Sequence, residues 1–223
     1  MYGAWYQNCK IGTFIIVCIL LNPRFFFAQD PSDPPTVPLD SLSNLKKISE
    51  EFLYDIKYAS SDNFLHQKVY TCDACYIRPE VALALVAANN YFCEYNLQIL
   101  LYDCYRPLDV QYLMWSIYPN PSYVANPNTT GSIHTRGAAV DLTLVNKDTR
   151  EPLDMGTPYD YFGKEAHIDN MTLSREVQFH RKLLREGMRK FGFHPIRTEW
   201  WHFSYKQNYS YPILNVPFEC NTD

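Results

Sequence analysis

Two short stretches of this chain carry side chains able to hold and use a metal ion. Residues 132–141 (SIHTRGAAVD) bring His134 and Asp141, and residues 199–202 (EWWH) bring Glu199 and His202. Two imidazoles and two carboxylates suit zinc, whose catalytic sites take three nitrogen or oxygen ligands and leave a fourth position to water. His134, Asp141 and His202 could be those three, with Glu199 left as a base that does not bind the ion. Each signal alone also fits a plainer reading, a hydrogen-bonded His–Asp pair or an aromatic core segment.

The spacing sets conditions on the backbone. Gly137 can bend the chain between His134 and Asp141, because glycine tolerates positive φ. In the strand that follows, Ala139 and Asp141 share one face, with Val140 and Leu142 on the other. Glu199 and His202 are an odd number of residues apart, so a flat strand points them to opposite faces. If both are to reach one ion, Glu199 must sit on a turn or kink.

The elements that must position these groups can be read from periodicity. Residues 78–96 have helical apolar spacing, with Pro79 in the first turn. Residues 97–102 (LQILLY) are a short apolar run of strand length, and residues 107–118 again begin with proline and continue at helical period. Residues 138–145 alternate like a strand. Residues 174–191 form a long amphipathic helix with Ser174 as N-cap and Gly192 just past its end. Residues 200–205 (WWHFSY) are aromatic and strand-like. Helices and strands without strict βαβ alternation indicate an α+β fold with an antiparallel sheet.

Composition bounds the rest. The 223 residues suffice for one domain or two small ones, and 47% apolar with 20% charged residues is ordinary for a chain with a packed core. Twenty basic against 24 acidic residues, with no basic run, leave no field for nucleic acid. The apolar run at 11–21 (IGTFIIVCILL) follows Lys10 and rises only about 16 Å as a helix, too short for a bilayer core. It reads as a secretory signal with Ala28 at the cleavage site. The alternatives are an uncleaved anchor extended through Phe25–Phe27 and, less favoured because of Val17, a lipoprotein at Cys18.

Residues 30–40 (DPSDPPTVPLD) read as an extended spacer. The expected organisation is thus a signal at 1–28, a proline-rich linker at 29–41 and a domain at 42–223, working in the periplasm or outside the cell with no stable membrane span after cleavage. Of seven cysteines, Cys72, Cys75, Cys93, Cys104 and Cys220 would remain. An oxidising compartment should pair some of them, and the odd number leaves one over. The Cys72–Cys75 spacing is open to three readings: structural thiols, a redox pair, or half a zinc knuckle.

With YDCYRP at 102–107 added, the sequence resembles the zinc D-alanyl-D-alanine dipeptidases, the VanX-type enzymes of vancomycin resistance and peptidoglycan recycling. The resemblance spans residues 55–205 through DIKYASSDNF (55–64), YDCYRP, SIHTRGAAVDLTL (132–144), DMGTPYDYF (154–162) and EWWH. The S-x-H-x-x-G-x-A-x-D pattern marks zinc D,D-peptidases generally, while DMGTPYDYF and EWWH are closer to the dipeptidases. The resemblance implies one zinc per chain on His134, Asp141 and His202, with Glu199 as general base and Arg106 stabilising the oxyanion. It implies Asp160 and Tyr58 at the substrate's ammonium and Ser132 near its carboxylate, the substrate being D-Ala-D-Ala.

The same resemblance implies a single α+β domain, Hedgehog/D,D-peptidase-like, in which helices pack around a small antiparallel sheet that bears the zinc. Asp103 is a candidate partner for Arg106, and His66, His167, His180 and His194 have no matching role. The leader, the spacer and the extra cysteines depart from the family. A D,D-carboxypeptidase trimming peptidoglycan stems and a catalytically silent zinc-stabilised binding module are the competing functions.

Overall fold

A computed structural model describes residues 41–205 and 210–220; the expected signal and all but the last residue of the linker lie outside the described residues. In chain order come strand β1 (Ser43–Asn44), helix α1 (Leu45–Ile48), strands β2 (Leu53–Tyr54) and β3 (Tyr76–Ile77), and helix α2 (Pro79–Cys93). Strand β4 (Leu97–Asp103), helix α3 (Leu108–Ile117) and strand β5 (Ala139–Asn146) follow. Helix α4 (Arg175–Lys190) leads into the hairpin of β6 (Phe193–Ile196) and β7 (Glu199–Tyr205).

The architecture is α+β, as expected. Five strands form the main sheet in the order β2-β4-β5-β7-β6, and β1 pairs with β3 in a small second sheet. One part of the expectation needs correction, because the main sheet is mixed. Along β4-β5-β7-β6 each neighbouring pair is antiparallel, but the edge strand β2 runs parallel to β4. The physical reason is the connection: between β2 and β4 the chain makes a long crossover through α2, which a parallel pair requires and a hairpin cannot provide.

Each helix begins and ends for a local reason. Pro79 opens α2, where its missing N–H is no loss. Ser174 Oγ accepts the Val177 N–H at 3.2 Å and caps α4. Central strand β5 is buried from Ala139 through Val145, so it has no solvent face. Helix α2 packs on β4, and α4 packs on β6, β7 and α2. That leaves polar side chains of β4, β5 and β7 a protected row of their own, which is where the chemistry lies.

The α2–α4 contact depends on Gly187. A Cβ there would fall inside the van der Waals shell of the Phe92 ring, which is fully buried and has nowhere to go. Gly187→Ala should gain about 1 kcal/mol of helix propensity but lose more to overpacking. A net destabilisation of roughly 1–2 kcal/mol is expected, read as a lower urea midpoint. A rise in the midpoint would show that the helices can separate without cost.

Candidate active site

Three neighbouring strands place three polar side chains side by side. Asp141 on β5 lies opposite His202 on β7 and opposite Asp103 on β4, so the three share one face of the sheet. His134 arrives from the preceding loop. It sits on a 3-10 turn, His134–Arg136, closed by Gly137 at φ +66. The left-handed turn swings the chain into β5, and a Cβ at that position would also lie 2.7 Å from Leu42 Cδ2.

The kink that Glu199 needs is present. In the β6–β7 hairpin, Glu199 pairs with Ile196 and Phe203 with Pro195, so the intervening residues of β7 bulge out of register. A bulge re-aims side chains. Here it brings Glu199 and His202 to the wall of one cavity.

The donor set can be tested for fit. His134 Nε2 lies 3.3 Å from Asp141 Oδ1, His202 Nδ1 lies 3.0 Å from the same oxygen, and the two nitrogens are 3.1 Å apart. For metal bonds of roughly 2.0–2.1 Å, a tetrahedral site has edges of about 3.3 Å. His134 Nδ1 donates to the Cys104 carbonyl at 2.7 Å, which fixes its tautomer, and His202 Nε2 shares a hydrogen bond with Ser204 Oγ at 3.0 Å. His134 Nε2, in its neutral form, therefore aims a lone pair at a carboxylate oxygen, a repulsive contact that a divalent cation between the three atoms converts into an attractive one. The residues fit a metal ion. Without the ion, protons on the facing ring nitrogens supply that attraction instead: burial alone would raise the Asp141 pKa, but proton-bearing His134 and His202 reverse this and hold it well below the usual carboxylate range.

The remaining candidates gather around these three. Tyr58, Arg106, Ser132, Asp160 and Glu199 line the same cavity of about 210 Å³ as His134, Asp141 and His202. Arg106 is buried; its Nη2 donates to Asp103 Oδ2 at 2.6 Å and its Nη1 to Gln111 Oε1 at 2.9 Å. Asp103 is thus the partner expected of it, and also accepts from Tyr70 OH at 2.6 Å. Burial, with Asp141 adding to it, pushes Glu199 up to about 7 against the lowering pull of His202 and Arg106. Asp160 accepts from Tyr58 OH at 2.8 Å, and burial carries its pKa well above the ordinary value. Ser132 Oγ accepts the His134 N–H at 3.2 Å. His66, His167, His180 and His194 are not among the lining residues.

Three contributors went unread in the sequence. Tyr159 OH donates to Asp141 Oδ2 at 2.9 Å, and its place beside Asp160 was the available signal. Gln111 comes from the next helix and carried no signal. The third is a backbone atom, the Cys104 carbonyl. The cysteines resolve as structural: Cys75 is bonded to Cys104 and Cys72 to Cys220, so the closely spaced pair is neither a redox couple nor half a zinc knuckle. Among the described residues Cys93 is the one outside both bridges.

Comparison with known proteins adds independent findings. The family model described as D-ala-D-ala dipeptidase matches residues 40–220. The chain is 35% identical over 179 residues to the D-alanyl-D-alanine dipeptidase of Escherichia coli (strain K12), covering 80% of this chain and 92% of that one. It is 32% identical over 169 residues to the D-alanyl-D-alanine dipeptidase of Enterococcus faecalis (strain ATCC 700802 / V583), covering 67% and 84%. Among solved structures, VanYB in complex with D-Alanine-D-Alanine superposes with a TM-score of 0.39 at 16% identity, over 61% of this chain and 75% of that one.

The Cys75–Cys104 bridge touches the site through the Cys104 carbonyl and the adjacent Asp103, whereas Cys72–Cys220 does not. Cys75→Ser with Cys104→Ser should lower stability by about 2–4 kcal/mol and also weaken turnover of the folded protein. The matching pair at 72 and 220 should lower stability while sparing turnover per folded molecule. Equal loss of turnover from both pairs would show that neither bridge is specific to the site.

Proposed function

The chain belongs to the D-alanyl-D-alanine dipeptidase family, and on that premise we propose that it is a zinc hydrolase cleaving free D-Ala-D-Ala in peptidoglycan turnover. One observation carries the assignment of residues: a His/Asp/His donor set and five further polar groups line one cavity of about 210 Å³. That volume lies below the roughly 300–1,000 Å³ of pockets for drug-sized ligands, and suits a dipeptide.

His134, Asp141 and His202 would hold one zinc ion. When bound, the ion supplies Lewis acidity, polarising the scissile carbonyl and easing ionisation of water near neutral pH. Glu199 takes the proton of the attacking water and hands it to the departing amine, a role that suits a carboxylate whose burial makes it basic. Arg106, oriented by Asp103 and Gln111, meets the oxygen that gathers negative charge. Asp160, braced by Tyr58, receives the substrate's ammonium, and Ser132 lies toward its carboxylate.

Asp160 favours a dipeptidase over a D,D-carboxypeptidase. A longer peptide offers an amide where the dipeptide offers an ammonium, and a buried carboxylate facing an amide goes unpaired. A silent zinc-stabilised module needs neither Glu199 nor Arg106, which disfavours that reading. Two disulfides support an oxidising compartment, in keeping with the leader read at residues 1–28, so we place the enzyme in the periplasm or outside the cell.

The protein is expected to hydrolyse D-Ala-D-Ala and to leave an N-acylated tripeptide ending in D-Ala-D-Ala largely intact. Preferential cleavage of the acylated peptide would instead assign a carboxypeptidase. Glu199→Ala should keep near-stoichiometric zinc while turnover falls about 10²–10⁴-fold; loss of metal would make Glu199 a ligand. Arg106→Ala should lower kcat far more than it raises KM, and an effect on KM alone would reduce it to a binding group.

A further inference from the structure

The two oxygens of Asp141 face different partners. Oδ1 faces His134 Nε2 and His202 Nδ1, while Oδ2 accepts the phenol proton of Tyr159 at 2.9 Å. The Tyr159 ring is itself fixed, with its centroid 4.7 Å from that of Tyr102 and 5.4 Å from that of Trp201. The next residue, Asp160, has φ +57, a left-handed conformation that few non-glycine residues adopt. That turn lets two consecutive side chains serve one region from the same loop.

Proton counting separates their tasks. Tyr58 and Tyr159 hold their hydroxyl oxygens 3.5 Å apart, but each phenol has one proton. Tyr58 gives its proton to Asp160 at 2.8 Å and Tyr159 gives its own to Asp141, so neither is left for the other. Two neighbouring phenols thus orient two carboxylates, one for the metal and one for the ammonium.

We propose that Tyr159 is a positioning residue for the metal centre: its hydroxyl engages Asp141 Oδ2, so that the carboxylate presents Oδ1 alone to the ion. This rests on the zinc reading above and deepens it. A carboxylate free to turn must be immobilised by the ion itself, and that ordering weakens binding. Held by one hydrogen bond, it remains a single-atom ligand. Hydrogen-bond partners of ligands typically govern metal affinity by about 10–100-fold.

The test compares the full chain with Tyr159→Phe, which keeps the ring contacts and removes only the hydroxyl. Zinc affinity is measured by chelator competition without substrate, and metal-free stability by thermal unfolding. Tyr159→Phe should bind zinc about 10–100-fold more weakly, with little change in the Tm of the metal-free protein. Asp160→Asn, from the same loop, should raise KM for D-Ala-D-Ala and leave zinc affinity unchanged. Equal zinc affinity in Tyr159→Phe and the parent would overturn this inference while leaving the zinc hydrolase reading intact. A parent chain that binds no zinc would overturn both. If Tyr159→Phe proves unstable without metal, the hydroxyl supports the fold rather than the ion, and the inference fails on that outcome too.

Discussion

Four carboxylates meet in one desolvated region, and their compensation governs the rest of the structure. Asp103, Asp141, Asp160 and Glu199 cluster near the guanidinium of Arg106, whose ion pair is with Asp103. Buried charge without a partner is expensive, and such groups respond by shifting their pKa. Glu199 and Asp160 do so upward, while Asp141 is held down by two imidazoles. On the function proposed above, a divalent cation on the imidazoles and a substrate ammonium at Asp160 would supply the missing positive charge. Substrate and metal would then complete an electrostatic balance that the protein alone leaves unfinished.

Keeping such groups together demands a rigid frame, and much of it comes from far along the chain. The C-terminal segment 210–220 runs behind the site. The Leu214 N–H donates to the Thr135 carbonyl at 2.8 Å, beside His134, and the Val216 N–H to Tyr105 OH at 2.8 Å, beside Arg106. Cys220 then closes the segment onto Cys72. The strand end at Cys104 is tied to Cys75 in turn. Both loops that carry candidate polar groups are therefore tied to the C-terminal segment or to a disulfide, the kind of support that lets a site act without reorganising.

Local signals were the legible part of the sequence. The proline-led α2 and α3, the Ser174 cap and the strand around Asp141 follow from spacing and capping chemistry, and the structure places them within a few residues of expectation. The eight candidate residues stood out by motif, and the structure brings all of them to one cavity. What spacing could not supply was anything set by register between distant segments. The β7 bulge that turns Glu199 toward His202 depends on how Pro195 and Ile196 pair across the hairpin, so only its necessity could be argued beforehand. The parallel β2 edge depends on where a long crossover returns. Gln111 and the Cys104 carbonyl become functional solely through tertiary neighbours, and a backbone oxygen has no signature in a sequence.

The same logic explains why the disulfides fall where they do. A domain of this size with a continuous aromatic core has no general need of covalent staples. Yet one bridge holds the strand end whose carbonyl orients His134 and whose neighbour, Asp103, anchors Arg106, and the other fastens the segment behind both. Clustered buried acids repel one another to the extent that they are ionised, and the surrounding loops must resist that repulsion. Cross-links beside the cluster restrict the open states that would relieve it. On this view the Cys75–Cys104 bridge restrains the charged centre, while Cys72–Cys220 reinforces the fold around it.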